Sequence, residues 1–215
     1  MRIAFDLDGV LADMDTALTR IAGAAAAPDQ PPPVHLSQFS PREQSRLWKR
    51  VHDTRDFWET LDECEPGIVG RIQALAHDRR WDVLFVTQRP ASIGRTTQLQ
   101  SQHWLRRHGF EYPAVYTTEG SRGRIAAALT LDVHVDDRLE HCVDVATESR
   151  TWPVLVWRDE TSFPRVSANA AKLGIAAIAT VGDALGRIEE ADRRGGHQED
   201  HVTLRRRLRR AFSGR

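Results

Sequence analysis

FDLDGV, residues 5–10, ends a short apolar run with two carboxylates two positions apart and then a glycine. The run starts at Arg2, and RIAFD, residues 2–6, has the apolar density of a buried strand. Side chains alternate along a regular strand, which would send Asp6 and Asp8 to one face. Two like charges there repel unless a cation or a shared proton intervenes. Gly9, without a Cβ, lets the chain leave the strand through an unusual turn.

Comparable apolar runs follow at 83–86 (VLFV), 133–135 (VHV) and 154–157 (VLVW), with weaker ones at 114–116 and 175–180. Helical spacing fills the intervals at about 68–78, 93–108, 122–129, 139–149 and 183–193. Strand alternating with helix predicts an α/β fold, a doubly wound and mostly parallel sheet. Ligand sites in such sheets lie beyond the carboxyl ends of the strands. A second acidic pair, Asp136-Asp137, follows VHV directly, and Thr87 closes VLFVT ahead of Gln88-Arg89-Pro90. One acid at a strand end is often only a helix cap or turn former. Acids at two strand ends with a hydroxyl between them suit magnesium and phosphate: Mg2+ prefers hard oxygen ligands, and backbone amides entering a helix can donate to a phosphate.

Residues 11–65 contain no convincing buried strand. The helical LADMDTALTRIAGAAAA breaks at PDQPPP, and a new helix is signalled by Ser40-Pro41-Arg42-Glu43, with Ser at the N-cap, Pro at the first helical position and Glu three residues on. The expected division is an α/β core of residues 1–10 and 66–192, a helical cap of 11–65 inserted after the first strand, and a basic tail of 193–215. An insertion at that point can roof the site. Trp48, Phe57 and Trp58 could stack on a nucleobase or form the core of the small helical module. His103 and His108 read as surface or packing residues.

The 30 basic and 30 acidic residues are unevenly placed: eight arginines against three acids from Asp192 onward leave a mildly acidic body. That body lacks the concentrated basic face of a nucleic-acid binder. EDHVTLRRRLRRAF reads either as a basic amphipathic helix that docks on an acidic surface or as a frayed terminus. Cys64 and Cys142 are far apart with no CxxC spacing, which argues against a disulfide framework and a structural zinc site. No run is long enough to span a membrane, and MRIAFDLDGV lacks the pattern of a secretory signal. The expectation is a cytoplasmic protein.

Taken in order, FDLDGVLAD (5–13), VLFVT (83–87), Arg122-Gly123 and Asp136-Asp137 resemble the motifs of the haloacid dehalogenase superfamily of phosphohydrolases. FDLDGVLAD and the stretch FWETLDECEPGIVGRIQALAHDRRWDVLFVTQRP are similar to its 5'(3')-deoxyribonucleotidase-like branch, which carries a small helical cap. The resemblance covers roughly residues 1–160. It implies a Mg2+-dependent phosphomonoester hydrolase, with a nucleoside monophosphate as the first expectation for the small phosphorylated substrate; another metabolite, a nucleic-acid terminal phosphate and a binding module without turnover are the alternatives. Asp6 would be the nucleophile and Asp8 the general acid/base. Asp6, the backbone carbonyl of Asp8, and Asp136 would bind the metal, with Asp137 a further ligand or a group that orients one. Thr87 would hold the phosphoryl oxygens, and Gln88, Arg89, Arg124, Phe57 and Trp58 are the other expected substrate contacts. Where the family usually has Lys, this chain offers Arg122, with Arg124 the other candidate, and the exchange is not neutral because a guanidinium is a planar fork. The resemblance also allows a homodimer.

Overall fold

A computed structural model describes residues 1–23 and 39–195. Its centre is a six-stranded parallel sheet of β1 (Arg2–Phe5), β2 (Asp82–Thr87), β3 (Ala114–Thr117), β4 (Val133–Asp136), β5 (Trp152–Val156) and β6 (Ala176–Ile178), in the order β3-β2-β1-β4-β5-β6. The two weak apolar runs at 114–116 and 175–180 are both strands, on the two edges. Eight α-helices are present among the described residues: α1 (Met14–Gly23), α2 (Pro41–Asp53), α3 (Ile68–Arg79), α4 (Thr97–Arg107), α5 (Arg122–Ala128), α6 (Leu139–Glu148), α7 (Phe163–Lys172) and α8 (Val181–Arg193). This is the expected doubly wound α/β fold.

Alternation along the strands builds the two faces. Ile3, Phe5, Phe85, Val133, Val135, Val154 and Val156 pack with Ile72 of α3, Trp104 and Leu105 of α4, and Leu185 and Ile188 of α8. On the other face Ala4, Leu84 and Val86 meet Ala126 of α5 and Val145 of α6, while Leu155 and Ala177 meet Cys142 and Ala170 of α7. From β1 the chain winds outward to β2 and β3, then returns across the sheet to β4 on the other side of β1. The winding direction reverses between β1 and β4, where open α/β sheets leave a crevice at the strands' carboxyl ends.

The segment between β1 and α3 leaves and returns at one place. Ala12 bridges Glu63 in antiparallel fashion, and Cys64 N donates to Leu11 O at 2.8 Å. Between these ends lie α1, α2 and a 3₁₀ turn, Phe57–Glu59. Helix α2 begins as its sequence predicts: Ser40 N donates to Glu43 Oε2 at 2.8 Å and Glu43 N to Ser40 Oγ at 3.4 Å, with Pro41 in the first turn. The segment is fastened to the sheet layer by Trp58 Nε1 donating to Pro90 O and Trp104 Nε1 donating to Leu61 O. Leu47, Val51, Phe57, Trp58 and Leu61 join the apolar cluster that fills the first sheet face.

Three expectations differ. The helix expected from residue 93 starts at Thr97, because Thr96 caps it through Leu99 N, while Ile93 is engaged by backbone bonds to His52 and Asp56. Helix α7 was not anticipated; it opens on Phe163 and Pro164, and of its residues only Ala170 is completely buried, with Phe163 and Val166 partly buried against the same cluster. The PDQPPP break, the end of the first helical stretch and the amphipathic reading of the tail lie outside the described residues. No helix among the described residues is long and apolar enough to cross a membrane.

Candidate active site

Asp6 follows β1 and is tied to β4 by its amide, which donates to Val135 O at 2.9 Å. Asp136 ends β4, and Asp137 follows it. The adjacency of β1 and β4 thus brings the two acidic motifs together: oxygens of Asp6, Asp136 and Asp137 all lie within 4.8 Å of one another. Gly9 makes the approach possible. Its φ is +78°, and a Cβ there would lie 2.1 Å from Asp137 Oδ2, so the turn after β1 leans directly on that carboxylate.

Burial, with repulsion from Asp136, Asp137 and Asp8, pushes Asp6 well above the usual carboxylate range against the pull of Arg122. Burial and then Asp136 raise Asp137 to about 7. Burial opposes ionisation of Asp136 too, but hydrogen bonds and charge from His134 and His141 outweigh it and hold that carboxyl below its ordinary range. His134 Nε2 lies 3.1 Å from Asp136 Oδ2, and His141 Nδ1 lies 3.1 and 3.0 Å from its two oxygens. Neither histidine stood out in the sequence reading. His134 lies two residues before Asp136 on one strand, hence on the same face, and His141 lies in the first turns of the next helix. The position of His134 follows from strand alternation, whereas that of His141 depends on the turn between β4 and α6.

Thr87, at the end of β2, is fully buried, and its Oγ1 has no hydrogen-bond partner among the described residues; the same holds for Asp6 Oδ1 and for Nε and Nη2 of Arg122. Buried polar atoms normally find partners. Here several orphans face one spot: Arg122 Nη2 is 3.6 Å from Asp6 Oδ1, and its Nε is 3.9 Å from Asp136 Oδ2. The donor set fits a divalent cation among the three carboxylates, and the unpartnered hydroxyl and guanidinium fit an anion beside it.

Arg122 heads α5, and this helix packs closely on α6 because Gly123 has no side chain: a Cβ there would lie 2.2 Å from Asp144 O. The order Arg122-Gly123 therefore delivers a cation at a buried position and a contact only glycine permits. Arg124 does not reach the site; it is exposed beside Glu148. Nor does Arg89 offer a free phosphate ligand, because its guanidinium is bonded to Asp8 and Ser101. Asp8's side chain likewise stands outside the carboxylate cluster, which leaves its backbone carbonyl as the expected metal contact. Phe57 and Trp58 are buried, 2% and 0% exposed, and pack against each other edge to face with centroids 5.0 Å apart, so they are core residues and not stacking surfaces.

Above this floor opens a cavity of about 700 Å3. Asp6, Asp8, Thr87, Gln88, Arg122 and Asp137 line its base. Met14 and Trp48 line it from the inserted segment, and Thr117, Thr118, Glu119 and Arg138 from the loops after β3 and β4. Trp48 is the aromatic of the insertion that borders this space.

No family model and no curated protein matches the sequence. Among solved structures, the chain is similar to a haloacid dehalogenase-like family hydrolase from Streptococcus pneumoniae, with a TM-score of 0.50, 12% sequence identity, and coverage of 87% of this chain and 97% of that one. The protein has the fold of a haloacid dehalogenase-like hydrolase.

Proposed function

We propose that this chain is a Mg2+-dependent phosphomonoester hydrolase that works through an aspartyl-phosphate, with a nucleoside monophosphate as its substrate. The observation that carries the reading is the set of unpartnered buried atoms, Asp6 Oδ1, Thr87 Oγ1 and Arg122 Nε and Nη2, gathered beside Asp136 and Asp137 at three strand ends. Such a set costs stability unless an anion and a cation complete it.

Asp6 is the nucleophile, held by its backbone bond to β4 at the floor of the cavity. Thr87 and Arg122 hold the phosphoryl oxygens, and the buried guanidinium takes the place of the more usual Lys. Asp8 protonates the leaving oxygen and then activates water. Asp6, Asp136, Asp137 and the carbonyl of Asp8 are the groups that would hold magnesium, which when bound offsets the phosphoryl charge and the mutual repulsion of the carboxylates. His134 and His141 fix the direction of Asp136.

The inserted segment acts as a cap that contributes Met14 and Trp48 to the leaving-group end. A volume of about 700 Å3 is of the size that holds a nucleotide-sized ligand, and Trp48 offers a face for a base. The test is phosphate release from deoxynucleoside monophosphates, sugar phosphates and 3'-phosphorylated oligonucleotides, with Mg2+ and with EDTA. We expect Mg2+-dependent release, fastest on mononucleotides, lost in Asp6→Asn with the fold retained. Near-full activity in Asp6→Asn would sink the covalent mechanism, and a higher rate on the other esters would overturn the substrate.

A further inference from the structure

The carboxylate of Asp8 is fixed by a single guanidinium. Arg89 Nε donates to Asp8 Oδ2 at 2.9 Å and to Oδ1 at 3.0 Å, and Nη2 donates to Oδ1 at 2.6 Å. The guanidinium is itself held on its remaining sides. Nη1 donates to Ser101 Oγ at 2.9 Å, the Ser101 hydroxyl donates to Thr97 O at 2.8 Å, and the charged carbon lies 4.9 Å from the centroid of the Trp58 ring. The Arg89 side chain has no exposed surface, while Asp8 keeps 11% of its own. An arginine that binds phosphate turns its fork toward the ligand. Arg89 turns its fork toward Asp8 and Ser101, and its charged carbon lies over the ring of an aromatic of the inserted segment.

We propose that Arg89 is a positioning residue: it aims Asp8 at the leaving oxygen of the substrate and does not bind the phosphoryl group. The inference rests on the phosphatase reading above. In the first step an Asp6 oxygen bonds to phosphorus, the bond from phosphorus to the leaving oxygen breaks, and the proton on Asp8 passes to that oxygen. In the second step a water oxygen attacks the aspartyl-phosphate, its proton returns to Asp8, and Asp6 and inorganic phosphate are released. Oδ1 accepts two of the three bonds from Arg89, so Oδ2 is the freer oxygen and carries the proton in both steps. Trp58, buried in the insertion and bonded to Pro90 O, backs the guanidinium. The insertion therefore supports the proton-transfer group from behind while Trp48 faces the cavity.

A positioning role and a phosphate-binding role differ in how they depend on the leaving group. An alkoxide needs its proton as it departs, whereas p-nitrophenolate departs without one. The comparison is kcat/KM, which reports the steps up to loss of the leaving group, for p-nitrophenyl phosphate and for an alkyl phosphomonoester. It is made with wild type, Arg89→Met, Arg89→Lys, Asp8→Asn and the Arg89→Met/Asp8→Asn double variant. We expect both Arg89 variants to lose on the order of 10²-fold on the alkyl ester and far less on the aryl ester. With Asp8→Asn already present, Arg89→Met should leave the ratio between the two esters unchanged. Lysine keeps a positive charge and loses the planar fork, so Arg89→Lys decides the matter if Arg89→Met does not fold. Equal losses on both esters, recovery in Arg89→Lys, or multiplicative losses in the double variant would each overturn the assignment. A wild-type protein inactive on both esters defeats the phosphatase reading first; activity lost in Asp6→Asn with no leaving-group dependence at Arg89 defeats only this inference.

Discussion

Arg122 and Arg124 stand two positions apart in a helix, so they project about 200° from one another around its axis. One is buried beside Asp6 and Asp136, the other exposed beside Glu148. The burial gives Arg122 its chemical value, since a guanidinium next to a developing phosphoryl charge acts most strongly where water is excluded. Arg122→Met, which keeps the stem and removes the charge, should lower kcat by roughly 10²-fold or more. Arg122→Lys should recover part of the loss, measured by phosphate release alongside circular dichroism to check the fold. Equal activity in all three proteins would remove Arg122 from the site. The strand-end acids and Thr87 were legible because each is announced by its own few neighbours, an apolar run that stops at a polar side chain. The roles of Arg89, Phe57 and Trp58 were not. Arg89 meets Asp8 across 81 residues, and whether an aromatic faces a cavity or a core depends on elements far away in the chain.

Helix α5 shows how an element converts packing into chemistry. Ser121 Oγ accepts from Arg124 N at its start, Gly123 lets it close on α6, and the closure drives Arg122 inward. A methyl group at Gly123 meets the Asp144 carbonyl 2.2 Å away and Glu148 Cβ at 2.7 Å, neither of which is the loose end of a side chain. Gly123→Ala should therefore part the two helices, costing about 1–3 kcal/mol of stability and more activity than that cost explains, because Arg122 moves with the helix. Denaturant unfolding and phosphate release on the same variant check this; unchanged stability, or an unchanged rate, would defeat it. The α5 helix was readable from local periodicity, whereas its Arg122-Gly123 pair was picked out only by the resemblance to the family's motif order. Helix α7 was missed because its apolar side is thin, with only Ala170 completely buried, and the start of α4 was misplaced because Ile93 is held by the insertion and not by a helix.

At the scale of the whole molecule, the doubly wound sheet is legible because it repeats a local pattern, whereas the stem that joins Ala12 to Glu63 and the meeting of Asp6 with Asp136 follow only from topology. That meeting makes global stability depend on protons and on metal. Asp6 and Asp137 bind their protons more tightly in the fold than in the unfolded chain, Asp137 rising from the ordinary 3.8 to about 7. Asp137's contribution is complete at low pH and is lost as pH rises through that interval, and Asp6 acts in the same direction. Asp136, held below its ordinary range, runs the other way and loses its contribution only as pH falls below about 4. Between pH 5 and 7.5 in EDTA the first effect governs, and the shift at Asp137, softened by water reaching it from the cavity, amounts to about 1–2.5 kcal/mol over that range. The midpoint of thermal unfolding should fall by roughly 3–8 °C. Mg2+ should restore it at pH 7.5 by binding the folded state, and should do less at pH 5, where protons compete for the same oxygens. Asp137→Asn should flatten the slope in EDTA. Scanning calorimetry at both pH values, with EDTA and with Mg2+, measures all four states; a midpoint in EDTA that rises with pH, joined to no response to Mg2+, would break the link between the acidic cluster and a cation.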